Sequence, residues 1–249
     1  MKGAIMSGES RKRMLAAIEY KNPDKIPVVY HPSAAGLYVH GQKLLDLFNE
    51  FPSDNPIEFK ELPKPAPGTI DGQGHYHELK KDDWGVEWEF LIFGIQGHPH
   101  SYPLASWDDA KNFKLPPLQK IDKDWIAKQG KEYLLIGNGG SIFERLHALR
   151  PIDEVLMDVF TEEPSLLAFL ERLEERCAEE IRCGLAAGYD GFFFGDDWGT
   201  QNAPMIPPEL FRKRFKPIYK RLFAPVKAAG RKVFFHCCGQ VPPLLDDFY

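Results

Sequence analysis

The run KVFFHCCG sets an imidazole and two thiols at consecutive positions, His236, Cys237 and Cys238, at the end of a strand-like apolar stretch. Alternate residues of a strand leave the same face, so His236 and Cys238 share one face and Cys237 takes the other. Imidazole and thiolate suit a borderline-soft ion such as Zn²⁺, whose catalytic sites use three protein ligands and keep a fourth position open. The competing reading is a small buried cysteine beside an incidental histidine. A second group follows the apolar run GFFFG, where Asp196 and Asp197 stand together before Trp198 and Gly199. Carboxylates there could orient a metal-bound histidine, accept a proton or contact a substrate. A capping role would account for one of them but not for both. Glu144, beside Arg145 after a glycine turn, is a weaker candidate that an ordinary surface ion pair also explains.

The remaining histidines and cysteines carry less. His75, His77, His98 and His100 form two H-x-H pairs with no acid or thiol pattern nearby, and we read them as solvated loop residues. Cys177 and Cys183 lie on or near the apolar stripe of a helix and read as packing.

These side chains need a scaffold. A short helix is expected over residues 10–20, a first strand over IPVVYH (26–31), a strand in PIEFKEL, and a hairpin in WGVEWEFLIFG. Short helices follow over 107–113 and 122–131, then a buried strand over 133–137 and a helix near 151–160. A long helix opened by Glu163-Pro164-Ser165 carries apolar residues at 166, 170, 173, 177, 181 and 185 and closes at Gly188. Strand 191–195, a helical stretch 208–229 broken by Pro217 and Pro225, and strand 232–236 complete the order. From residue 133 onward strands and helices alternate with short connections, which points to a parallel α/β sheet covered on both faces. Polar residues gather just after the strands (His31, Asn138, Asp196, Asp197, His236, Cys238), the edge where barrels place their chemistry. About five strands can be found where a (β/α)₈ barrel needs eight, so we expect a single barrel-type domain over 1–249 that stops short of closure.

The bulk figures exclude several classes. With 249 residues, 43% hydrophobic and 27% charged, the chain has ordinary globular composition. A net charge of −5 with interleaved signs speaks against nucleic acid. No stretch reads as a signal peptide or a membrane span, and four cysteines without a disulfide pattern suit a reducing cytoplasm.

The stretches GESRKRMLAAIEYKNPDKIPVVY, FERLHALRPIDEVLMDVFTEEP, GYDGFFFGDDWGTQ and GRKVFFHCCG resemble the uroporphyrinogen decarboxylase superfamily, and within it the cobalamin-dependent methyltransferase branch. The likeness is fair over 7–30 and good over about 133–249, with DDWGTQ and HCCG its most specific pieces. It implies a (β/α)₈ barrel, zinc held by an H-x-C pair matching His236 and Cys238, and a third ligand expected beyond Tyr249. It also implies a corrinoid on a partner protein and a small methyl donor or thiol acceptor. Asp196 or Asp197 would then orient a ligand or meet the substrate. The decarboxylase itself carries an arginine-bearing Met-Arg-Gln-Ala-Gly-Arg segment after the first strand. This chain has HPSAAGLYVHG there and no arginine between Arg13 and Arg145. Without that forked cation a polycarboxylate substrate is poorly served. A barrel that binds a small molecule without turnover is the reading from another class, separated from the enzyme by whether zinc binds.

Overall fold

The computed structural model describes residues 8–31, 33–57 and 61–248. In chain order it holds α1 (Glu9–Ile18), α2 (Ala34–His40), α3 (Gln42–Glu50), β1 (Glu78–Lys81), β2 (Glu87–Phe90), β3 (His98–Ser101), α4 (Trp107–Ala110) and α5 (Lys123–Gln129). The second half adds β4 (Ile136–Gly140), α6 (Phe143–Leu149), α7 (Ile152–Thr161), α8 (Pro164–Ala187), β5 (Gly191–Gly195), α9 (Pro208–Arg214), α10 (Lys216–Ala228), β6 (Lys232–His236) and a closing 3₁₀ turn, Pro242–Asp247. The chain divides into two compact units. One comprises residues 1–82, 87–101 and 124–135; the other comprises 83–86, 102–123 and 136–249.

In the first unit Arg13 of α1 is buried and its guanidinium meets Asp24 through two 2.8 Å contacts and Asp54 through a third. Asp54 also accepts from Ser10 Oγ at 2.8 Å and from the Val28 N–H at 2.9 Å. This explains why IPVVYH forms no strand. The backbone N–H groups of Val28 and Tyr30 go to Asp54 and Ser53 side chains instead of a neighbouring ladder. The PIEFKEL expectation falls partly on residues 58–60, outside the described ones. Of WGVEWEFLIFG, where a hairpin is expected, only β2 is a strand, and its partners β1 and β3 lie outside that stretch in an antiparallel sheet β1-β2-β3. Its third strand is HPHS, so His98 and His100 lie on a strand and not in a loop.

In the second unit β4, β5 and β6 form a parallel sheet in that order, as expected. β4 starts at Ile136, three residues later than the apolar run suggested, and runs through the glycine-rich IGNGG. α8 begins with Pro164 in its first turn, and the Glu163 side chain accepts the Ser165 N–H. The helix ends on left-handed Gly188. Its buried stripe includes Leu166, Leu170, Leu173, Cys177 and Ile181. The helical stretch after 208 splits at Phe215, with Pro217 in the first turn of α10 and Pro225 carried inside it. Phe143, Trp198, Phe211 and Phe215 are fully buried, and the Phe143 and Trp198 rings stack at 4.2 Å. Among the described residues no helix is long and apolar enough to cross a membrane.

Candidate metal centre

The site lies where β5 and β6 end side by side. Gly195 pairs with His236, and the contact continues past the strands: Asp196 N–H donates to His236 O at 3.1 Å and Gly199 N–H to Cys238 O at 3.1 Å. Gly199 and Gly239 then cross backbone against backbone. A Cβ on Gly199 would stand 2.5 Å from Gln240 N, and one on Gly239 would stand 2.2 Å from Gly199 O, with φ already at +83°. Only glycine fits either place. The final residues of DDWG and HCCG therefore have a steric reason, which is to let the two loops touch and so bring their side chains together.

Three donors meet there. His236 Nε2 is 3.1 Å from Cys238 Sγ and 3.5 Å from Asp197 Oδ1, and that oxygen accepts the Cys238 N–H at 2.7 Å. Among the described residues this is the group whose His, Cys and carboxylate donor atoms all lie within 4.8 Å of one another. Ligand bonds of about 2.0–2.3 Å in a tetrahedral shell imply donors about 3.3–3.8 Å apart. The chemistry of the set thus fits zinc, and the 3.5 Å spacing lies within that range while the 3.1 Å one is slightly short of it. The hydrogen bond to Asp197 pushes the Cys238 thiol up, and the Glu144 charge adds to the effect. Cys238 is exposed and His236 half exposed, so the cluster opens to solvent. Cys237 is turned away: its Sγ accepts the Trp198 backbone N–H at 3.2 Å.

Asp196 plays a different part from its neighbour. It is fully buried, and its carboxylate accepts from Ile142 N–H at 2.8 Å, Glu144 N–H at 2.7 Å and Tyr219 OH at 2.6 Å. Those two amides open α6, so Asp196 caps that helix from 52 and 54 positions away. Burial pushes its pKa up to about 7, against the pull of the three hydrogen bonds. The capping role weighed for one aspartate belongs to Asp196, though for a distant helix and not the next one. None of its atoms is exposed, and what it touches is the start of α6 and Tyr219.

The sequence profile of the uroporphyrinogen decarboxylase (URO-D) family matches residues 104–249. The chain belongs to this family. Asp197, His236, Cys238, Asp196 and Glu144 all fall inside the URO-D segment. No curated protein matches the chain. Among solved structures it is similar to a methyltransferase from Methanosarcina mazei, at 17% identity and a TM-score of 0.58. That likeness covers 96% of this chain and 72% of the other. At that identity it shows a shared fold.

Around the cluster, Glu144 sits at the start of α6, and its Oε1 lies 3.1 Å from His147 Nε2 one turn on. The Phe193 ring stacks near the His236 imidazole, with centroids 6.3 Å apart. The sequence alone gives Asp196 or Asp197 an orienting or substrate-contacting role and puts the third ligand beyond Tyr249. The structure supplies a third candidate donor from Asp197 itself. Tyr219, which holds Asp196, was not singled out, since it appeared only as one residue of a helix and nothing local marks its partner 23 positions away.

Proposed function

We propose that this chain is a methyltransferase-type enzyme built on a (β/α)₈ barrel plan. It would move a methyl group between a corrinoid carried by a partner protein and a small donor or thiol acceptor. The observation that carries the reading is the tight nitrogen, sulfur and oxygen cluster of His236, Cys238 and Asp197 at the C-terminal edge of a parallel sheet. The shared fold with a methyltransferase and membership of the URO-D family support it.

His236 Nε2, Cys238 Sγ and an Asp197 carboxylate oxygen would hold a zinc ion. Bound there, zinc would keep an acceptor thiol as thiolate or polarise a methoxy or amine donor. The chain's own residues do the rest. Asp196 fixes the start of α6 and thereby the place of Glu144. The Cys238 thiol is raised by Asp197, so it holds its proton until a cation competes for the sulfur. Glu144, paired with His147, would receive a proton released at the mouth of the site. Phe193 offers His236 an apolar neighbour on one side.

Arg13, the arginine nearest in sequence to the position where the decarboxylase carries its substrate-binding arginines, is buried and engaged by Asp24 and Asp54. This supports the methyltransferase reading over porphyrin decarboxylation. The test is to mix zinc-loaded protein with methylcobalamin and a panel of small thiols, and with methylamines or methoxy compounds and reduced cobalamin. The expected result is a zinc-dependent change in the cobalamin spectrum with at least one partner. A spectrum unchanged by the protein across both panels overturns the proposal.

A further inference from the structure

The antiparallel sheet of the first unit gathers three of the chain's eight histidines around one carboxylate. His77 Nε2 lies 2.9 Å from Glu89 Oε1, and His98 Nε2 lies 3.1 Å from Glu89 Oε2. His100 Nδ1 stands 3.9 Å from the same Oε2. Strand geometry brings them together. Glu89 pairs directly with His98 across β2 and β3, and His100 is the extra residue where the register shifts between Glu87 and Trp88, its Nδ1 turned towards the same carboxylate. His77 immediately precedes β1, where Leu79 pairs with Glu89. Glu89 is the least exposed of the four, at 24%, and it joins imidazoles from both neighbouring strands.

We propose that His77, Glu89, His98 and His100 form a second site for a divalent transition-metal ion of the zinc type. Three imidazoles and a carboxylate are a donor set that zinc, nickel and copper favour over calcium or magnesium. Two histidines at alternate positions of one strand hold two donors on a rigid support. In the conformation described, the nitrogens each face the carboxylate and do not yet converge on one point. The three imidazoles are 48–60% exposed, so they can turn about their side-chain bonds without disturbing a core. An ion taken up there replaces the imidazole–carboxylate hydrogen bonds with coordinate bonds and ties β3 and the residue leading into β1 to β2. The alternative is a solvated polar face in which Glu89 serves only as a hydrogen-bond acceptor.

The proposal does not depend on the methyltransferase reading, and its test removes the other cluster first. Untagged full-length protein carrying His236→Ala and Cys238→Ala is dialysed to equilibrium against micromolar zinc, and bound metal is counted. One equivalent per chain is expected to remain. Adding His98→Ala and His100→Ala should lower zinc affinity at least about tenfold, with a smaller loss for Glu89→Gln. Circular dichroism without metal should be the same for all variants, because the substituted histidines are about half exposed and Glu89→Gln keeps the side chain's shape. Should that not hold for the double His variant, His77→Ala and Glu89→Gln singly carry the comparison. Zinc should also raise the thermal midpoint of the parent variant and leave that of the histidine variants unchanged. No bound zinc in the parent, or binding indifferent to the histidines and to Glu89, overturns the proposal.

Discussion

At the scale of single residues, adjacent members of each motif have opposite tasks. Cys238 joins the donor cluster while Cys237 meets the Trp198 backbone, and Asp197 faces the opening while Asp196 is buried beneath it. In zinc-loaded protein, Cys238→Ser should therefore weaken binding by more than the roughly 10–100-fold typical of losing an orienting partner. Cys237→Ser should keep its metal. Metal analysis of the two variants decides between them, and loss from Cys237→Ser alone would show the donor assignment to be wrong. Asp196→Ala leaves a tyrosine hydroxyl and two helix-opening amides without their acceptor. Its cost should be about 3–5 kcal/mol in urea unfolding. Asp197→Ala, at a half-open position, should change stability by less than about 1 kcal/mol while lowering zinc affinity.

Among the elements, what positions the cluster is the meeting of two loops. Gly199→Ala or Gly239→Ala would drive a methyl group into backbone 2.2–2.7 Å away. Each should cost about 1–3 kcal/mol and abolish zinc binding without touching a donor. Retained zinc in a folded Gly239→Ala variant would refute that view of the crossing. A second joint is Glu162, which caps α7 in the left-handed region and holds Arg214 at 2.7 Å and Lys213 beside it at the end of α9. The Arg214 hydrogen bond, then Lys213, keeps its carboxyl below the ordinary 4.5. A depressed acid binds its proton more readily when unfolded, so its stabilising effect is present above that value and is lost as pH falls through the lowered one. The difference in thermal midpoint between the parent and Glu162→Gln should be seen at pH 7 and shrink below about pH 4. A difference that grows on acidification would contradict the sign. Element by element, helices with a 3.6-residue stripe and strands with continuous apolar runs were legible, α8 and β5 above all. The failures were of another kind. IPVVYH has the composition of a strand and gives its amides to Asp54 and Ser53, a choice made by residues more than twenty positions away. HPHS has turn-like composition and is a strand because β2 lies beside it.

For the molecule as a whole, the part of the candidate site most readily read was the part that is local. His236 and Cys238 are two residues apart, and strand alternation alone placed them together. The third donor depends on β5 lying next to β6, and the bond from Tyr219 to Asp196 depends on α10 reaching the end of β5; no short window contains either. The porphyrin substrate can be tested at this scale too. Uroporphyrinogen should not be decarboxylated above background, since Arg13 is engaged inside its own unit and no other arginine precedes Arg145. Coproporphyrinogen in the product would reverse that conclusion. The glycine crossing also orders events in time. Asp197 and Cys238 stand 41 positions apart, with α9 and α10 between them, and their loops cannot touch before the two strands have paired. Parallel pairing across so long a connection comes late in folding, because the chain must close the loop before the contacts repay it. A nascent chain would offer a zinc ion only His236 and Cys238, and the complete triad would exist only in the finished fold. The ion would then be recruited by a folded protein, and during refolding its uptake could begin no sooner than β5 and β6 have found each other.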